Sequence, residues 1–152
     1  MFFISISFLA FAMGVASPYW ILKVGEAGTF FGVAMGVSLI SQAISSYITG
    51  KLYNNTNAKY YLSLTTVLSG IVLYGYSFVL SIPMLLCLQI AFGSLLGIGQ
   101  TLQSMVVLHK DFGKYHMLIT FMAGIAMALT LPSPIVTGAV LTLIAGGLLA
   151  FS

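Results

Sequence analysis

Charged side chains are scarce in this sequence. It has 152 residues, of which 5% are charged and 60% are hydrophobic, and it contains five lysines but no arginine. A soluble domain carries charge on roughly a quarter of its residues, so the composition excludes an ordinary soluble domain. The net charge of +3 is too small and too scattered for a nucleic-acid-binding surface, and we expect no nucleic-acid partner.

Cysteine and clustered histidine are equally scarce. Cys87 is the single cysteine, which excludes a disulfide within the chain. His109 and His116 are seven residues apart, and Gly113 between them argues against a helix that would place both on one face. The sequence has no nucleophile–base pair, phosphate-cradling loop or metal-ligand cluster. We therefore predict no enzyme activity, no cofactor and no metal site.

Long apolar runs are the main feature that is present. A bilayer span needs about 20 apolar residues, and runs of this kind recur without the alternation typical of barrel strands. Because backbone groups find no water partner in lipid, such runs must be helical. We predict an all-α polytopic membrane bundle of about six transmembrane helices, with the lipid bilayer as its surroundings. The predicted segments are residues 2–21, 28–49, 60–80, 84–108, 117–131 and 134–151.

The last two segments have a second interpretation. Pro132, Ser133 and Pro134 divide the uncharged stretch that follows residue 117, and proline ends or kinks a helix. Two short helices fit this division. Alternatively, one helix passes through the prolines to about residue 141 and a truncated last span follows. Both ends of the chain are abruptly apolar, so we expect it to be a piece of something longer.

Glycines recur at a regular spacing in two segments. Gly28, Gly32 and Gly36 are four residues apart in the second segment, and Gly93 and Gly97 repeat this spacing in the fourth. Glycines at this spacing lie on one helix face and let a neighbouring backbone approach closely in lipid. We predict that these five glycines are helix-packing positions.

Polar side chains inside the spans are the candidate binding residues. Ser38 and Gln42 lie on a stripe beside the glycine face of the second segment, and Gln89, Gln100 and Gln103 lie in the fourth. Gln89 and Gln100 are eleven residues apart, about three turns, so they share a face. A buried amide in lipid needs a partner. We predict a substrate pocket formed by these five residues; the alternative is hydrogen bonding between helices that only holds the bundle together.

The predicted spans contain no Asp, Glu, Lys, Arg or His. Ionisable groups inside a membrane mark proton relays and ion pathways. Their absence favours a uniporter of a neutral solute, or a half whose partner supplies the charge.

Lysines between the segments predict the orientation. The second and fourth loops carry Lys51, Lys59, Lys110 and Lys114, whereas the first and third loops carry Lys23 alone. Cytoplasmic loops carry the excess of lysine. We therefore predict a multi-pass cell-membrane protein with these two loops and the N-terminus in the cytoplasm.

The loop after the second segment resembles a motif of a transporter family. Residues 50–59 are similar to the loop motif G-x-L-x-D-x-x-G-R-[KR] of the major facilitator superfamily. Three positions agree with the motif, namely Gly50, Leu52 and Lys59. Three others replace its Asp, its second Gly and its Arg, namely Asn54, Asn57 and Ala58.

The resemblance implies one six-helix half of that fold, in which helices 1, 2, 4 and 5 line a central cavity. It also implies a secondary transporter that moves a small solute by alternating access, completed by a second half that is another copy or a separate chain. A cytoplasmic gating loop is implied, whose members are Gly50, Lys51, Asn54, Lys59 and Asp111. Pro134 and Gly138 match a pattern at the end of the family's helix 5, which favours the helix through the prolines.

Two functions other than transport remain compatible with the same residues. One is a non-transporting membrane subunit or scaffold, which would use the glycine faces for assembly with another membrane protein. The other is a non-functional fragment of a transporter, which would account for the replaced motif residues and the apolar ends.

Overall fold

The computed structural model describes residues 2–25, 28–53, 57–107 and 134–151, together with residues 121 and 125. All elements of these residues are helices, as the composition predicts, and no strand occurs among them. The five α-helices are α1 (Phe2–Gly25), α2 (Phe31–Leu52), α3 (Ala58–Gly75), α4 (Ile82–Val107) and α5 (Pro134–Ala150). Short 3-10 turns precede α2 at Gly28–Phe30 and follow α3 at Tyr76–Phe78.

The helices differ from the predicted segments mainly at their ends. The first runs to Gly25 rather than to residue 21 and includes Pro18, since proline is tolerated in membrane helices where neighbours compensate the backbone. The last begins at Pro134, a favourable residue for a first helical turn. Of the predicted segment 117–131, the described residues are Phe121 and Ile125, which are both helical and exposed; its other residues lie outside the described ranges.

Among the described helices, four are long and apolar enough to cross a membrane. These spans are Ile4–Gly25, Gly28–Leu52, Ala58–Phe78 and Ile82–Val106. The helix Pro134–Ala150 is apolar but shorter, with 17 residues. The chain is therefore an all-α protein with several helices of membrane-spanning character.

The helices pack side by side in the order α1, α5, α3, α4 and α2, with α3 in the middle. This helix packs along α4 on one side and along α5 on the other, while α1 packs along α5 and α2 packs along α4. By contrast, α1 makes few contacts with α2 or α3. A gap bounded by α1, α3 and α4 therefore remains inside the bundle, and it becomes the centre of the candidate site.

The distribution of side chains suits a lipid environment. Large apolar residues face outward, as shown by Ile40 at 62% exposure and Leu52 at 71%. Small and hydroxyl side chains face inward instead, including Ser63, Thr66 and Thr142. A soluble domain buries its large apolar residues and rarely exposes extended apolar patches, whereas helices in lipid associate through small residues and hydrogen bonds.

Close contacts at glycine hold α5 in place. A Cβ added to Gly138 would overlap the Ala16 side chain of α1, and one added to Gly146 would overlap Val67 of α3. The Ser63 hydroxyl donates a 2.6 Å hydrogen bond to the Gly146 carbonyl oxygen. Because α5 fits against both neighbours, α1 and α3 are kept at a fixed separation on either side of the gap.

Candidate functional site

The contact between α2 and α4 is made by glycine on one side and by polar side chains on the other. A Cβ added to Gly93 would overlap the Ser38 carbonyl oxygen, and one added to Gly97 would overlap the Gln42 carbonyl oxygen and the Ser45 hydroxyl. The Ser46 hydroxyl donates a 3.1 Å hydrogen bond to the Gly97 carbonyl oxygen. The two predicted packing glycines of α4 therefore lie against the backbone of α2.

The glycines of the second segment are placed differently. Apart from their own helix, no described residue lies within 4 Å of the position that a Cβ would take at Gly28, Gly32 or Gly36. The side of α2 that meets α4 is instead the serine and glutamine stripe. Such a stripe can pack closely because its hydroxyls are satisfied within the helix, as when Ser45 Oγ donates to the Ser41 carbonyl oxygen at 2.8 Å.

Two predicted binding residues meet at this contact. The Gln42 Nε2 group donates a 2.8 Å hydrogen bond to Gln100 Oε1. Gly97, one turn before Gln100, allows the close approach that brings the two amides within reach. The bond leaves the two N–H groups of Gln100 available to a further acceptor. Gln100 is thus held by α2 through its amide oxygen, and its two N–H groups remain to donate hydrogen bonds.

A cavity of about 290 Å³ lies beside Gln100, between α1, α3 and α4. Its size is close to the lower end of the range typical of small-molecule sites. The polar part of its wall consists of Gln100, Gln103, Thr65, Thr66 and Ser69. The apolar part consists of Ile6, Leu9, Ala10, Met13, Gly14, Leu62, Leu95, Leu96 and Gly99.

The hydroxyls of this wall are arranged to accept hydrogen bonds. Thr65 Oγ1 donates to the Tyr61 carbonyl oxygen at 2.9 Å, Thr66 Oγ1 to that of Leu62 at 2.7 Å, and Ser69 Oγ to that of Thr65 at 2.8 Å. Each hydroxyl proton is therefore used inside α3, and the oxygen lone pairs remain for a ligand. The amides of Gln100 and Gln103 supply donors to the same space. None of the described lining residues is charged.

Three of these wall residues were missed by sequence reasoning. Thr65, Thr66 and Ser69 lie in the third predicted segment, residues 60–80. Their spacing is a signal that could have identified them, because residues three and four apart share one helix face.

The other predicted pocket residues lie outside this cavity wall. Ser38 is buried against Gly93. Gln89 is completely buried, and neither of its amide atoms has a hydrogen-bond partner among the described residues. The cavity therefore combines Gln100 and Gln103 directly and includes Gln42 through its bond to Gln100.

The predicted gating loop is described in part. Gly50, Lys51 and Lys59 are exposed at the ends of α2 and α3, and Lys51 Nζ lies 4.5 Å from the centre of the Tyr47 ring. Asn54 and Asp111 lie outside the described residues. The rings of Tyr53 and Tyr61, which lie on either side of the loop, are 4.3 Å apart.

Comparison with protein-family profiles, curated proteins and solved structures gives no match to this chain. The function of the cavity is therefore inferred from its own residues and from the helices that enclose it.

Proposed function

We propose that this chain is one half of a secondary membrane transporter that moves a small uncharged solute by alternating access. The observation that carries the proposal is an uncharged cavity between helices of membrane-spanning length, whose mainly apolar wall includes a group of glutamine, threonine and serine side chains. Polar groups inside a membrane are costly unless they are satisfied. The hydroxyls of Thr65, Thr66 and Ser69 and the Gln100 amide oxygen are satisfied within the bundle, which leaves the hydroxyl lone pairs and the Gln100 N–H groups for a ligand to pair with.

The arrangement of the helices supports an internal repeat. α1 packs along α5 in the way that α4 packs along α3, and α3 and α5 pack against each other. Exchanging α1 with α4 and α3 with α5 leaves these three contacts unchanged, whereas the contact between α2 and α4 has no counterpart at α1 among the described residues. Because α1 and α4 run in opposite directions, the relation is that of an inverted repeat, which many transporter folds contain, with the substrate site at the repeat interface. The cavity lies between α1 and α4, at that interface.

The chemistry of the wall favours a neutral solute that bears hydroxyl or amide groups. Such a solute can donate to the hydroxyl oxygens of Thr65 and Ser69 and accept from the amide of Gln100. Proton-coupled transport normally requires ionisable groups within the membrane. None is found in the described cavity wall, so we propose uniport, or coupling through a charge that the second half supplies.

The rest of the proposal follows the resemblance to the major facilitator superfamily. The chain would be a six-helix half in the cell membrane with its N-terminus in the cytoplasm. The cytoplasmic gate would consist of Gly50, Lys51, Asn54, Lys59 and Asp111. A single half encloses one side of a path, so a second copy or a separate chain would complete it. Rocking of the two halves about the cavity would then expose it to each side in turn.

Binding of a neutral solute can be tested by thermal unfolding of the full chain in lipid nanodiscs. A ligand that binds the folded state at 100 times its Kd stabilises by about 2.7 kcal/mol. We expect at least one compound in a panel of neutral polyols, sugars and amides to raise the unfolding midpoint. We expect Gln100→Ala to abolish this rise without changing membrane insertion, because the variant loses the amide that lines the cavity.

Ser104→Ala is the matched control for this test. Ser104 lies on the same helix, is exposed, and donates to the Thr101 carbonyl oxygen at 2.7 Å, but it does not line the cavity. The control should retain the full solute-dependent rise. If no neutral solute shifts the midpoint and the chain is instead recovered in a stable complex with another membrane protein, the scaffold interpretation would replace the transporter.

A further inference from the structure

A second cavity, of about 110 Å³, lies in the gap between α1, α3 and α4. We call it the apolar cavity, and its described lining residues are Met13, Ala16, Trp20, Leu73, Phe92 and Leu96. Among these side chains, that of Trp20 alone has a nitrogen or oxygen atom. A buried water needs two to four polar partners. The wall of this cavity therefore suits an apolar group better than it suits water.

The apolar cavity continues the cavity beside Gln100 along the bundle. Met13 and Leu96 border both cavities. On α3, Ser69 belongs to the wall of the first cavity and Leu73, one helical turn later, to the wall of the second. The two cavities are therefore consecutive, and the passage between them depends on the rotamers of Met13 and Leu96. Methionine has three rotatable bonds and adapts readily to a changed contact.

The polar groups of the cavity beside Gln100 lie on one side of it. Its polar side chains belong to α3 and α4, whereas α1 contributes no polar side chain to the described wall, namely Ile6, Leu9, Ala10, Met13 and Gly14. A solute with polar groups on all sides, such as a sugar, would press hydroxyls against this apolar side, where they have no partner. Burying a polar group without a partner costs free energy, so the wall favours a solute with one polar and one apolar side.

We propose that the solute is a neutral amphipathic molecule, whose amide or hydroxyl head pairs with Gln100 and whose apolar tail enters the apolar cavity. The pairing of the head with Gln100 rests on the proposed function. An apolar cavity of about 150 Å³, engineered in another protein, holds one benzene molecule. By proportion, the apolar cavity of about 110 Å³ holds a tail end of roughly four carbon atoms. Leu96 lies one helical turn from Gln100, about 6 Å along α4, so the tail passes Leu96 to reach the apolar cavity.

The two walls together disfavour the other classes of solute. A wholly apolar molecule would leave the N–H groups of Gln100 and the hydroxyl oxygens of α3 without a partner in the larger space. A charged molecule would find no opposite charge on the described lining residues of either cavity. A neutral head with an apolar tail matches both walls, because each part of it meets groups of its own kind.

Trp20 reports on the apolar cavity, because it is the single tryptophan of the chain and lines this cavity but not the one beside Gln100. The probes are 8-bromooctanamide, with bromine at the end of its tail, and 3-bromooctanamide, with bromine near its head. Bromine quenches indole emission on contact. With the full chain in nanodiscs, we expect 8-bromooctanamide to quench Trp20 at least threefold more strongly than 3-bromooctanamide. The quenching that counts is the part that an excess of octanamide removes, since probe dissolved in the lipid is not displaced.

Two variants show where the bromine is bound. Leu73→Phe fills the apolar cavity and is expected to reduce the displaceable quenching by 8-bromooctanamide at least threefold. Leu68→Phe is the matched control, because Leu68 is on the same helix, is 40% exposed and lines neither cavity; it should be quenched like the unaltered protein. If Leu73→Phe does not fold, Leu96→Phe narrows the passage between the cavities and is expected to reduce the quenching in the same direction.

The result is separable from that of the proposed function. Stabilisation by a neutral solute that is lost in Gln100→Ala, combined with no displaceable quenching of Trp20, would leave a transporter half and overturn the tail site. Equal displaceable quenching by the two probes in the unaltered protein would also overturn it, as would unchanged quenching in folded Leu73→Phe. Displaceable quenching that persists in Gln100→Ala would support the tail site but remove Gln100 as the partner of the head, which counts against the proposed function.

Discussion

Gly97→Ala is expected to destabilise the protein strongly, although it adds a single methyl group. The methyl would overlap the Gln42 carbonyl oxygen and the Ser45 hydroxyl, and a backbone oxygen cannot rotate away. Inserting atoms into a well-packed contact costs typically about 1–3 kcal/mol. We expect a destabilisation in the upper part of this range, because moving α2 away from α4 would also lengthen the hydrogen bond between Gln42 and Gln100. Thermal unfolding in nanodiscs measures the change.

Gly36→Ala is the matched control on the facing helix. No described residue outside its own helix lies within 4 Å of the added methyl, and alanine is favoured over glycine in a helix by about 1 kcal/mol. The control should therefore be neutral or stabilising. Equal destabilisation by both substitutions would contradict this packing and would indicate that the glycine face of α2 is covered in the membrane by a partner.

Ile40→Lys is expected to impair membrane insertion severely. Ile40 is 62% exposed and lies at the middle of the span Gly28–Leu52. A lysine at the centre of a transmembrane helix costs about 2.5–3.5 kcal/mol, which is on the order of a hundredfold in the insertion equilibrium. The fraction of chains that integrate into microsomal membranes during translation measures this effect.

Leu52→Lys is the comparison that shows whether the exposed surface of α2 faces lipid or water. Leu52 is even more exposed, at 71%, but it ends the same helix, where a lysine can extend its amine to the headgroups. In a bilayer the two substitutions should differ widely. If both were harmless, and both gave protein that stays in the aqueous fraction, the exposed apolar surface would not be a lipid-facing surface.

The helices themselves were predictable because their cause is local. Apolar runs without period-two alternation leave the backbone no stable state in lipid other than a helix. The neighbour that each helix face contacts, by contrast, is determined by the tertiary structure and not by the local sequence. Gly36 and Ser38 belong to neighbouring stripes of one helix, and periodicity predicts that either could pack. Because serine hydroxyls can bond within their own helix, the serine stripe packs about as closely as the glycine stripe. The spacing of the residues alone therefore does not show which stripe contacts α4.

The candidate site was predictable to a similar degree. Gln100 and Gln103 were identified by their polarity within an apolar run, and the structure brings both to one cavity. Gln89 shares a helix face with Gln100, but eleven residues separate them by about 16 Å along the axis, and Gln89 is buried away from the cavity that Gln100 lines. The position of Trp20 depends on tertiary contacts with Tyr76 and Phe92, which bring its indole nitrogen into the interior.

Cysteine accessibility at position 69 tests alternating access most directly. Ser69 lines the cavity beside Gln100 and lies near the middle of the span Ala58–Phe78. The change Ser69→Cys is nearly isosteric, and Cys87→Ser removes the single native cysteine. Ser63→Cys on the same helix is the control, because Ser63 is buried against α5 through its bond to Gly146.

The variants are labelled in sealed membranes with a membrane-impermeant maleimide, added to one side and then, in separate vesicles, to the other. The account predicts that the cysteine at position 69 reacts from both sides, that a stabilising neutral solute slows both reactions, and that the cysteine at position 63 reacts from neither. Reaction at position 69 from one side alone, or from neither side in correctly inserted protein, would contradict alternating access through this cavity.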